Sequence, residues 1–124
     1  MLLIGADEAL AASVGAAGVH LPERDLWKAS LIRRKHPGWI VTGAAHSASA
    51  LRKAHWVGLD AVLLSTAFAS HSPSAKSPLG PVRLAQMVKL ARTPVIALGG
   101  VNAGTAKRLA GTGVAGFAAV DGLL

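Results

Sequence analysis

Strand-like, mainly apolar runs recur along this chain, each followed by a stretch with helical spacing. The runs are residues 2–5, 18–21, 39–44, 61–65, 95–98 and 116–120. The run ending at Leu98, apolar from Pro94 without polar alternation, predicts a strand buried on both faces, the mark of a parallel sheet. Helices are predicted between them: over 7–14, over 26–35, from a Ser47 or Ser49 cap through Val57, from Pro81 onward, and over 105–110. Their stops are Gly15, His36-Pro37-Gly38, Gly58 and the segment 111–113, residue types that end helices by turning the chain or by lacking an amide hydrogen. Leu84, Met87, Val88 and Ala91 fall on one stripe of the fourth helix, the face it turns to a core.

Strand–helix alternation builds right-handed βαβ units, so the fold class is α/β with a parallel sheet of about six strands. Two architectures satisfy this: a doubly wound open sheet, or part of a (β/α)8 barrel. A complete barrel takes at least about 200 residues, so 124 residues would fall short by about two βα units. Residues 65–80 break the rhythm with Ser and Pro and no periodicity. A loop that long in a compact domain is functional or an insertion, and its place after a strand suits a lid over a ligand.

Composition narrows the chemistry. With 52% hydrophobic and 15% charged residues the chain is a buried globular domain. Without cysteine it has no disulfide, no thiol nucleophile and no cysteine-ligated zinc. No apolar stretch reaches membrane-spanning length and Asp7 and Glu8 interrupt the opening apolar run, so the expectation is a cytoplasmic protein with no membrane partner. A net charge of +7 favours anionic ligands. The run Arg33-Arg34-Lys35-His36 ends a predicted helix, where cations complement the dipole; without interleaved aromatics it reads as a solvated face, not a nucleic-acid site.

The segment Pro94-Val95-Ile96-Ala97-Leu98-Gly99-Gly100-Val101-Asn102 concentrates the candidate chemistry. A buried strand ends in paired glycines, and Asn102 is suited to cap a helix toward Leu109. Exposed backbone N–H groups there would receive a phosphate; the alternative is a tight turn and nothing more. His20, inside a strand and opposite in direction to Val19 and Leu21, reads as a core histidine or a contact at a barrel mouth. His55 beside Trp56 reads as packing. No histidine pair has zinc-ligand spacing, and no strand-turn Gly-x-Ser-x-Gly element supports a serine hydrolase.

Five segments in order, GVHLPERD (18–25), TGAAHS (42–47), LSTAFASHSPSAKSPLGPVRLA (64–85), PVIALGGVN (94–102) and GFAAVDGLL (116–124), resemble the thiamine phosphate synthase/TenI family. The loop with Ser70-His71-Ser72 and Leu79-Gly80-Pro81 is more similar to the TenI-like branch. The resemblance implies an incomplete TIM-type barrel: residues 1–124 as a single domain carrying the family's third to eighth strands, without the first two βα units and the last helix. It implies a role in thiamine biosynthesis on a small thiazole phosphate. The alternatives are a noncatalytic phosphate-binding remnant and an unrelated phosphate-binding barrel enzyme.

Residue by residue, the resemblance makes His46 the proton-transfer group of TenI-type tautomerases. Gly99 and Gly100, with Gly122 after the last strand, become the phosphate-binding turns, and Asp25 a Mg²⁺ ligand. Ser70 and Lys76 fall in the loop where the synthases carry a catalytic lysine, with Lys76 several positions out of register. Departures are explicit: the second metal carboxylate falls at Gly5-Ala6, a serine of the synthases is replaced by Ala44, and the strand that holds a pyrimidine diphosphate has no counterpart. An open barrel also leaves two strand edges unpaired, so self-association of copies is expected.

Overall fold

The computed structural model describes residues 1–73 and 75–120. Its strands are β1 (Leu3–Gly5), β2 (Gly18–Leu21), β3 (Ile40–Ala45), β4 (Ala61–Leu64), β5 (Val95–Leu98) and β6 (Gly116–Ala118). All pair in parallel and in sequence order, β1-β2-β3-β4-β5-β6. The helices are α1 (Glu8–Ser13), α2 (Ala29–Lys35), α3 (Ala48–Trp56) and α4 (Gly80–Val88), with 3₁₀ segments at Glu23–Lys28 and Ala106–Leu109. Sequential order without reversal removes the doubly wound alternative, because that architecture needs a switch point in strand order.

Side chains alternate across the sheet. Val19, Val41, Val62, Leu64 and Ala97 are wholly buried, in one cluster with Leu26, Ile32, Leu51 and Leu84 from the helical layer. Gly43 makes that docking possible. A Cβ there would run into Leu26 Cδ2 and come within 2.9 Å of Leu59 Cδ1. On the opposite face, register sets His20 beside Thr42, and His20 Nδ1 lies 2.9 Å from Thr42 Oγ1. His20 is thus a hydrogen-bonded sheet histidine, and burial pushes its pKa below the ordinary 6.5.

Several elements depart from the sequence reading. The second helix begins earlier than residue 26, as a 3₁₀ turn after Pro22, whose fixed φ starts helical geometry without any apolar periodicity. The helix expected over 105–110 is only the 3₁₀ segment Ala106–Leu109. His55 and Trp56 meet edge-on at 5.4 Å, but on the surface, with Trp56 77% exposed. The basic run keeps the exposure expected of a solvated face, with Arg34 and Lys35 exposed, and three of its members also reach carboxylates: Arg33 bonds Asp60 at 2.7 Å, while Lys35 and His36 both reach Glu8.

Residues 66–80 leave the sheet with Thr66–Phe68 bonded alongside the end of β5, Ala67 N–H to Leu98 O at 2.9 Å and Phe68 N–H to Gly99 O at 3.0 Å. The loop then closes on itself, with the N–H groups of Leu79 and Gly80 donating to the carbonyls of Thr66 and Ala67. It is a loop with a pinned neck, held also by the Arg108 guanidinium 4.9 Å from the Phe68 ring.

Two stability outcomes follow. Gly43→Ala should cost about 1–3 kcal/mol by overpacking, read as a lower urea midpoint, whereas Gly38→Ala, with no atom within 4 Å of the added methyl, should leave it nearly unchanged. For His20 the unfolded chain takes up a proton near pH 6.5 and the folded chain resists it. Stability is therefore complete above that pH and is lost as pH falls toward the lower folded-state pKa. Urea midpoints followed from about pH 8 to about pH 5 should fall less in His20→Gln than in the parent chain; parallel curves would exclude His20 as a source of the acid sensitivity.

Candidate functional site

Because the strands are parallel, their carboxyl ends share one rim, where barrel-type folds collect functional groups. His46 follows β3 and Ser65 follows β4. The register that pairs Ala45 with Leu64 brings these next two residues alongside each other, and Ser65 N–H donates to Ala45 O at 3.1 Å. His46 Nδ1 lies 2.9 Å from Ser65 Oγ and 3.3 Å from the Ser65 carbonyl. Its backbone N–H donates to Glu23 Oε2 at 2.6 Å. Nε2 has no hydrogen-bond partner among the described residues, and the ring is exposed. Beside it, a groove of about 450 Å³ is lined by Glu23, Arg24, His46, Ser47, Ser49 and Lys53.

Gly99 and Gly100 close β5 with φ of +101° and +62°, a backbone that side-chain-bearing residues rarely adopt. Close packing also demands glycine: a Cβ on Gly99 would lie 2.9 Å from Thr66 Cγ2, and one on Gly100 would strike the Ala69 carbonyl and lie 2.7 Å from the Phe68 carbonyl. The carbonyls of the pair are taken, by Phe68 N–H and by Thr105 Oγ1 at 2.8 Å, while their N–H groups have no acceptor among the described residues. Asn102 does cap, accepting from the N–H groups of Gly104 at 2.8 Å and Thr105 at 3.0 Å. What it caps is a turn leading to a single 3₁₀ turn, so no long helix dipole points at Gly99–Gly100. Gly122, the third expected phosphate-binding glycine, lies outside the described residues.

The expected metal ligand does not find a metal site. Asp25 Oδ1 is paired with Lys28 Nζ at 3.1 Å. The second carboxylate position is Ala6, at φ +59°, and neighbouring Asp7 is used to cap α1, accepting from Leu10 N–H at 2.8 Å. Among the described residues no group of three or more His, Asp or Glu side chains converges. One carboxylate already held by a lysine does not fit a Mg²⁺ that needs near-octahedral oxygen ligation. Ser70 and Lys76 sit in the loop and not at the His46 pair: Ser70 Oγ accepts from Ser72 N–H at 3.2 Å, and the Lys76 backbone N–H is held by Thr66 Oγ1 at 3.0 Å with its side chain exposed.

Glu23 and Ser65 join the site without any local motif that marks them. They lie 23 and 19 positions from His46, and only the strand register relates them to it; extending the β3–β4 pairing by one residue would have found Ser65.

Comparison with known proteins bears on the family and the fold. The sequence model of a family described as "Thiamine monophosphate synthase" matches residues 1–123. A thiamine-phosphate synthase of Leuconostoc citreum is 30% identical over 97% of this chain and 57% of its own length. A putative thiamine-phosphate synthase 2 of Aquifex aeolicus is 35% identical over 82% of this chain and 54% of its own. The structure of a thiamine phosphate pyrophosphorylase from Pyrococcus furiosus superposes with a TM-score of 0.77 at 25% identity, covering 95% of this chain and 55% of the other. The chain thus spans about half the length of the relatives it matches. With its six-stranded parallel sheet, it belongs to the thiamine monophosphate synthase family.

Proposed function

We propose that this chain provides the phosphate-binding and proton-transfer side of a TenI-like site acting on a thiazole phosphate. The observation that carries the reading is His46 at the end of β3, anchored through Nδ1 and backbone N–H with Nε2 unbonded. A neutral imidazole offers a lone pair on one ring nitrogen, so it can take a proton from one substrate atom and return it to another, leaving atoms and charge balanced. The paired N–H groups of Gly99 and Gly100, at the end of β5 on the same rim, suit a phosphate held by backbone donors. Condensation of a thiazole phosphate with a pyrimidine diphosphate is disfavoured for this chain alone, since Ala6 stands at the second carboxylate position and Asp25 is committed to Lys28.

His46→Asn should lower thiazole phosphate turnover by about 10²–10⁴-fold while calorimetry finds phosphate affinity nearly unchanged. Unchanged turnover would remove the proton-transfer role, and phosphate binding without any turnover would identify a binding module instead. A synthase assay with both substrates and Mg²⁺ should give no thiamine phosphate; robust product would refute that part of the reading.

The partner we propose is a second copy. β1 and β6 are the sheet edges among the described residues, and apolar side chains are exposed near them, Met1 at 96% and Leu2 at 55%, Phe117 at 55% and Val120 at 77%. Unpaired edges flanked by apolar groups associate. Light scattering of the 124-residue chain should therefore report a dimer or larger species; a monodisperse monomer that unfolds cooperatively would contradict it.

A further inference from the structure

Two oxygens of a single residue surround His46 Nδ1: Ser65 Oγ at 2.9 Å and the Ser65 carbonyl at 3.3 Å. A carbonyl only accepts, so a ring nitrogen facing it is best satisfied by carrying the hydrogen. A hydroxyl serves either way, so the carbonyl sets the direction, and with the hydrogen on Nδ1 the hydroxyl is its nearer acceptor and turns its own hydrogen to water. With the proton on Nδ1, a neutral imidazole must present its lone pair at Nε2. We infer that Ser65 is a positioning residue that fixes His46 in the Nδ1–H tautomer and so makes Nε2 the basic atom of the site.

The fold makes this arrangement hard to lose. Ser65 is held in register by its own N–H on Ala45 O, and Glu23 anchors the His46 backbone from the far side at 2.6 Å. The imidazole is therefore constrained at both its backbone and its ring. Ser65→Ala removes the nearer acceptor and leaves only the carbonyl at 3.3 Å, a weaker hold. The ring should then shift toward the Nε2–H form that free imidazole side chains favour, and a base at Nε2 is lost in that share of molecules.

This inference rests on the proposed role of His46 for its catalytic consequence, but the tautomer is measurable without it. In the full 124-residue chain labelled with ¹⁵N-histidine, at a pH where the imidazole is neutral, His46 should show a protonated-type Nδ1 signal and a lone-pair-type Nε2 signal, assigned by loss of those signals in His46→Asn. Ser65→Ala should move both signals toward the reversed pattern, and Ser65→Thr, which keeps the hydroxyl, should restore them. On a thiazole phosphate, Ser65→Ala should lower kcat on the order of tenfold, in proportion to the lost tautomer, with KM nearly constant. A proton on Nε2 in the parent chain overturns the inference, as does a Ser65→Ala spectrum matching the parent. Correct spectra with a His46→Asn chain of undiminished turnover would instead sink the catalytic reading and leave the tautomer assignment standing.

Discussion

Parallel hydrogen bonding between β3 and β4, with Ala45 opposite Leu64, carries the site. Parallel strands cannot be joined by a tight turn, so a helix, or between β5 and β6 a 3₁₀ segment, intervenes and every strand ends on the same side. His46 and Ser65 meet because they are the first residues beyond paired strand ends, not because the sequence brings them near. The same rule sets Gly99 and Gly100 on that rim, at the end of the next strand over. Loosening the sheet register by one residue would turn the apolar set Val41, Val62 and Val95 away from the helices. The burial of that set therefore protects the site geometry.

Acidic side chains are the scarce resource of this molecule. Among the described residues each is already engaged: Asp7 caps α1, Glu8 holds Lys35 and His36, Glu23 holds the His46 backbone, Asp25 pairs with Lys28, and Asp60 holds Arg33 and the Val41 N–H. A cation site needs several carboxylates free to converge, and here they are spent on helix caps and cross-element ties. The excess of positive charge is left facing water, which biases the surface toward anions. Local structural demand and ligand preference thus have one cause.

Much of this was legible in the sequence. The runs at 18–21 and 95–98 became β2 and β5 without change, because short, mainly apolar segments bounded by glycine or proline have few other folds open to them. The ends of helices were less legible: Glu23–Lys28 is helical through Pro22 geometry and carries no apolar period. His46 could be named in advance from its segment, but its partners could not, since Glu23 and Ser65 are contacts of register. The paired glycines were read for phosphate, while the structure gives them a second duty. Their missing side chains admit the backbone of Thr66–Ala69 against the end of β5, a contact between distant segments that no local pattern announces.

The edge strand β6 shows how far the fold's logic extends. Phe117 lies in register with Ala97, so both point to the helical side of the sheet. Ala97 is wholly buried there, whereas Phe117, on the edge strand, is 55% exposed. Parallel sheets are stable when both faces are covered, and the other face is also only half-covered, with Leu63, Ile96 and Leu98 partly accessible. Among the described residues the helical layer thus covers the middle of the sheet, where the candidate site stands, more fully than its β6 edge. The residues wholly buried in the core, Val41, Leu51, Val62 and Leu64, lie on the strands that end at His46 and Ser65 and on the helix between them, whereas the large exposed apolar side chains Leu2 and Phe117 lie on or beside the edge strands.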